Sequence, residues 1–157
     1  MLKSLQIIGF AILATISLEV PAFCFEEAAK QYANYNVTPT LLRAIAKQES
    51  GVNNATIHFN KDGSRDVSLM GINSRHFETL SAYGITEDDL LNDPCLATKV
   101  GAWIAARHFM HYGNPTVMNP NKYWEAVGSY NAGFSHTGEV NRSIYAWNIY
   151  RQMVKVK

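Results

Sequence analysis

The chain has 157 residues, 47% of them hydrophobic and 17% charged, with 14 Lys+Arg against 13 Asp+Glu, which is the profile of one globular domain. A net charge of +1 offers no field for a phosphate backbone, and this apolar content with 11% aromatics speaks against a disordered chain, so nucleic acid is not the expected partner. Two cysteines are too few for a disulfide-built miniprotein and do not stand as Cys-x-x-Cys, which sets aside a zinc ribbon or a thioredoxin-type site.

At the N-terminus, Lys3 precedes a stretch from Ser4 to Leu18 with no charged residue, followed by Val20-Pro21-Ala22. This reads as a secretory signal peptide, residues 1–22, cut after Ala22. A spanning helix needs roughly 20 apolar residues. This run is shorter, is interrupted by Gly9, Thr15 and Ser17, and is closed by Glu19 and Pro21. An uncleaved anchor is the alternative. Phe23 rather than a small residue precedes Cys24, which argues against lipidation. Export places the two thiols in an oxidising compartment, so a Cys24–Cys95 disulfide is expected. The alternative is a buried Cys95 and a frayed Cys24.

The exported segment, residues 23–157, reads as one domain of short helices. Glu26 to Tyr35 is rich in helix formers. Thr38-Pro39 then sets a capping residue before a proline suited to the first turn, opening a helix that runs to Ser50 and stops at Gly51. Between Asn53 and Asp66 the chain is polar, which suggests a loop or small hairpin. Asp93-Pro94 repeats the start signal for a helix closed by Gly113, Asn119-Pro120 opens another, and Val140 to Val154 forms the last.

On the helix starting at Pro39, Leu41, Leu42, Ile45 and Ala46 form an apolar stripe, and Glu49 falls on it, seven residues after Leu42 and four after Ile45. A carboxylate in that position loses hydration, and its pKa rises. A glutamic acid protonated near neutral pH is what general acid chemistry at a glycosidic oxygen requires. The plainer alternative is a Glu in a last helical turn that faces solvent or pairs with a base.

Three motifs stand in order: Ala46-Lys47-Gln48-Glu49-Ser50, Ser68-Leu69-Met70-Gly71-Ile72-Asn73 and Ser129-Tyr130-Asn131-Ala132-Gly133. Their register resembles the lytic transglycosylases of the goose-type lysozyme-like family, and the short length, single export signal and early cysteine look most like the specialised members that accompany bacterial secretion or conjugation machines. The resemblance implies a mainly α, lysozyme-like helical domain with a small polar loop or hairpin. It implies cleavage of the β-1,4 bond between N-acetylmuramic acid and N-acetylglucosamine in peptidoglycan strands, with closure of a 1,6-anhydro ring. Glu49 matches the catalytic acid/base and Ser50 the supporting residue after it. Met70, Gly71, Ile72 and Asn73 match the segment lining the sugar cleft, Tyr130 and Asn131 the pair facing the acid, and Tyr145 a further cleft tyrosine. Neither a cofactor nor a metal is implied. The implied setting is a monomer in the periplasm, recruited by a machine subunit. Two departures stand out: Ser68 replaces the family's usual Gly, and Gly71 replaces its usual Gln, which removes a hydrogen-bonding arm.

Ordinary glycosidases use two carboxyl groups. Asp66 is the candidate second acid, which would give lysozyme-like hydrolysis; the alternative is that it braces its loop. A third reading of the whole chain is a non-enzymatic assembly factor. His108 and His111 share a helix face without an evident third ligand, so no metal site is expected. Trp103, Trp124 and Trp147 are candidates for stacking on sugars, but at least two of them are assigned to packing.

Overall fold

A computed structural model describes residues 23–113 and 117–155. The segment assigned to export lies outside the described residues. The three expected start signals, at Thr38, Asp93 and Asn119, are used as written. Thr38 accepts the backbone N–H of Leu41 at 3.1 Å and opens α2, Pro39–Ser50, which ends on Gly51 at φ 67°. Ahead of it, α1 spans Phe25–Gln31 and gives way to a single 3₁₀ turn at Ala33–Tyr35, so the expected first helix breaks early.

After α2 comes a three-stranded antiparallel sheet in the order β1 (Ile57–Phe59), β2 (Arg65–Val67), β3 (Ile72–Asn73). Pairing sets Val67 against Ile72 and Asp66 against Asn73. Because neighbouring side chains alternate, Val67 and Ile72 enter the core while Asp66 and Asn73 share the other face. Two short helices follow, α3 (Phe77–Ser81) and α4 (Glu87–Asn92). Then come α5 (Pro94–His111), capped by Asp93, α6 (Pro120–Ala132), capped by Asn119, and α7 (Glu139–Lys155).

The core is centred on α2, whose Leu41, Leu42, Ala44, Ile45 and Ala46 are all buried. It packs between α1 and α7; α7 packs on α6, α6 on α5, and α5 returns to α1. At Gly128 of α6 an added Cβ would come within 2.3 Å of the Arg142 carbonyl oxygen, so only glycine permits this approach of α6 to α7. Ion pairs Glu26–Arg43 and Glu27–Lys99 tie α1 to α2 and α5, and Arg65–Glu87 ties the sheet to α4. Cys24 and Cys95 are joined by a disulfide between the start of α1 and the start of α5.

Candidate active site

At the last turn of α2, Glu49 lines a small cavity of about 240 Å³ together with Asn131 of α6 and with Asn141, Ile144, Tyr145 and Asn148 of α7. The residue is half-buried. Loss of hydration pushes its carboxyl up to about 7, and the nearby Asp66 carboxylate adds to the rise, while a hydrogen bond from the Tyr145 hydroxyl opposes it. The hydroxyl of Tyr145 donates to Glu49 Oε1. Burial and the acid beside it hold the Tyr145 phenol well above its ordinary value, so it stays a donor. With Oε1 engaged as acceptor, the neutral acid carries its proton on Oε2.

Gly71 abuts that second oxygen. A Cβ built there, at φ 59°, would lie 2.6 Å from Glu49 Oε2. The glycine therefore does more than omit a glutamine amide: its bare backbone makes the space in which the carboxyl sits. The rest of the segment holds this backbone in place. Met70 and Ile72 are fully buried, and Met70 fills the space left by Gly101 of α5. Their side chains thus belong to the core, not to a cleft wall as the motif suggested.

Tyr130 does not reach Glu49 by hydrogen bond; its hydroxyl donates to the Met70 carbonyl at 2.9 Å and fixes the segment from below. Ser50 plays a similar bracing part, its hydroxyl lying 3.0 Å from the Leu69 carbonyl and accepting from the N–H groups of Val52 and Asn53.

Asp66 accepts from Asn73 Nδ2 at 2.7 Å and from Asn60 Nδ2 at 2.9 Å, one bond on each oxygen. It braces the loop, as the plainer reading of this residue had it, and its charge also reaches Glu49. The partner Asn60 carried no signal in the sequence, because only the turn of the hairpin brings it beside Asp66.

His108 and His111 go separate ways. Ser129 Oγ donates to the Ala126 carbonyl, so its 2.7 Å contact with His108 Nδ1 is closed by the imidazole proton; burial pushes His108 down to about 4. His111 stacks on Phe134 with ring centroids 3.9 Å apart. Among the described residues, Cys24, Glu27 and Cys95 form the one grouping of three metal-type ligands, and both sulfurs are in the disulfide.

A carboxylic acid still half protonated near pH 7, fixed by one donor and opening onto a groove, suits proton transfer to a glycosidic oxygen, and a helical domain with a small sheet beside that acid is the architecture of the lysozyme-like enzymes. Residues 23–152 match the family described as Transglycosylase SLT domain. The chain belongs to that family.

Among its relatives, Protein IpgF of Shigella flexneri is 36% identical over 135 residues, 86% of this chain and 82% of that protein. Invasion protein IagB of Salmonella typhimurium (strain SL1344) is 41% identical over 136 residues, covering 87% and 78%. A Peptidoglycan-binding-like protein of Escherichia coli O157:H7 is 36% identical over 155 residues, covering 94% and 86%.

Proposed function

We propose that the chain is a peptidoglycan lytic transglycosylase in which Glu49 acts first as acid and then as base. The protonated Glu49 gives its proton to the oxygen leaving the muramoyl C1, and the C1–O bond breaks. The carboxylate then takes the proton of the muramoyl 6-hydroxyl as that oxygen bonds to C1, closing the 1,6-anhydro ring. The acid is restored and no water is consumed. Tyr145 keeps the carboxyl oriented through both steps, and the Gly71 backbone leaves room for the oxygen that carries the proton. Asn131, Asn141 and Asn148 supply amide groups that suit sugar hydroxyls and acetamido groups around the acid.

The observation that carries this reading is Glu49 itself, half-buried, bonded to one phenol and held at about 7. The test is digestion of purified cell-wall sacculi with mass analysis of the products. Termini one water lighter than reducing ends are expected. Reducing ends alone would make the enzyme a hydrolase. That second reading has its own support, since Asp66 stands close enough to raise Glu49 and could stabilise an oxocarbenium ion.

Similarity to an invasion protein and to a peptidoglycan-binding-like protein over most of the chain supports a role in opening the wall locally for a secretion or conjugation machine, with a machine subunit as recruiter. The substrate lies in the periplasm, reached through the N-terminal export segment. Among the described residues no helix is long and apolar enough to cross a membrane.

A further inference from the structure

A larger cavity, about 810 Å³, lies between α6 and α7 and shares no residue with the cavity at Glu49. On α7 the Glu49 side is formed by Asn141, Ile144, Tyr145 and Asn148, whereas the larger cavity takes Glu139, Arg142, Ser143, Ala146, Trp147 and Tyr150. At about 100° per residue these are opposite flanks of the helix, roughly 10 Å apart across its diameter. Its volume falls in the ~300–1,000 Å³ range of ligand sites.

One wall is an aromatic platform. Trp147 and Tyr150 lie nearly parallel, 23° between planes and 5.4 Å between centroids, and they are 59% and 44% exposed. Trp124, packed against the core, meets Tyr150 edge-on at 5.7 Å and holds it upright. Phe134 lies across the cavity, on the loop that Arg142 secures through the Gly133 and Ser135 carbonyls. Adjacent exposed rings offer negative π faces to the C–H face of a pyranose. Around them Asn121, Glu125, Glu139 and Ser143 supply donors and acceptors for hydroxyl and acetamido groups.

Charge chooses among occupants. Two carboxylates stand against the single guanidinium of Arg142, which is already committed to carbonyls, so an acidic stem peptide or an anionic lipid finds no positive focus here. The rings and acetamido groups of the glycan backbone carry no charge and are not penalised, the stem peptides hanging from the muramoyl lactyl groups outside the groove. We propose that this groove is a second glycan-binding site, which holds a run of N-acetylhexosamine units without cleaving it. It rests on the reading of peptidoglycan as the substrate, and it gives the enzyme a hold on the wall while Glu49 works on the far flank of α7.

The test uses the full exported chain carrying Trp147→Ala or Tyr150→Ala, with Trp147→Phe as the conservative variant and the thermal midpoint as the folding control. Co-sedimentation with intact sacculi is expected to weaken about fivefold in each alanine variant, equivalent to ~1 kcal/mol. KM on sacculi should rise in step while kcat and KM on a short soluble muropeptide tetrasaccharide stay unchanged, and phenylalanine should restore binding. Unaltered sacculus binding in both alanine variants overturns the site, as does an equal loss on the soluble tetrasaccharide, which would assign these rings to the catalytic groove. Trp147-dependent binding by a wild-type protein that releases no anhydro ends would leave this site standing and bring down the cleavage reading instead.

Discussion

Replacing Glu49 with glutamine preserves the outline of the neutral acid and removes its proton. Activity on sacculi should fall at least about a thousandfold, within the 10²–10⁴ that general acid–base catalysis supplies. The same variant should gain stability, and the pH decides where. In the unfolded chain the carboxyl titrates near 4.5, and in the folded protein at about 7, so the folded state holds the proton more tightly. That advantage is complete below pH 4.5 and is lost as the pH rises through 7. Urea unfolding should therefore find Glu49→Gln level with wild type at pH 4 and about 2–3 kcal/mol more stable at pH 8, after allowance for water in the groove. An equal stability difference at both pH values would show that the carboxyl is not desolvated. Asp66→Asn removes a like charge and so lowers the Glu49 pKa. The alkaline limb of kcat/KM should move to lower pH, with a far smaller loss of activity than Glu49→Gln causes; equal losses in sacculus turnover would make Asp66 a full second catalytic carboxylate. At position 71, alanine would bring Cβ to 2.6 Å from Oε2 in a left-handed backbone, so Gly71→Ala should cost about 1 kcal/mol of stability and at least tenfold in kcat.

Helix starts in this chain are local events, and this made them readable: Thr38, Asp93 and Asn119 each accept a backbone N–H three residues on, and each precedes a proline. Thr38→Ala should accordingly cost about 1 kcal/mol in chemical denaturation, since it uncaps the helix that carries Glu49. The same kind of signal opens α4, where Thr86 and Asp89 form a reciprocal capping box. It stands in the sequence too, but a helix of only six residues offers no periodic stripe to go with it. The strands are shorter still, two or three residues each, too few for alternation to declare itself. Glu49 was legible because its stripe lies within one helix. Its partners were not legible in that way, for they depend on how elements meet, and Tyr145 could be named only through the family resemblance. Tyr145 comes from 96 residues away through the packing of α7 on α2, and the amides on Asp66 follow from the β2–β3 register and the turn of the hairpin. The buried Met70 and Ile72 show the converse: a motif can mark a segment correctly while its side chains face the core and only its backbone fronts the site.

Across the whole molecule, the disulfide and the site stand at different places in the helical ring. Cys24 and Cys95 join the start of α1 to the start of α5, 71 residues apart in sequence, whereas Glu49 is enclosed by α2, α6, α7 and the turn before β3. Closing a loop of that length restricts the unfolded chain by about 4 kcal/mol on the entropic account. It adds little to the shape of the site, because Glu49 rests on contacts that α1 does not make. Cys24→Ser with Cys95→Ser, or the reduced wild type, should melt roughly 10 °C lower and still clear sacculi at the wild-type rate well below the new midpoint. Circular dichroism melting paired with turbidity clearance at one temperature checks both halves. Loss of clearance while the helical signal is intact would mean that the bridge shapes the groove through the packing of α1 on α2. Retention of both the midpoint and the rate would mean that α1 is held by burial of Phe25, Ala28 and Ala29 and by its ion pairs to Arg43 and Lys99, with no help from the covalent link.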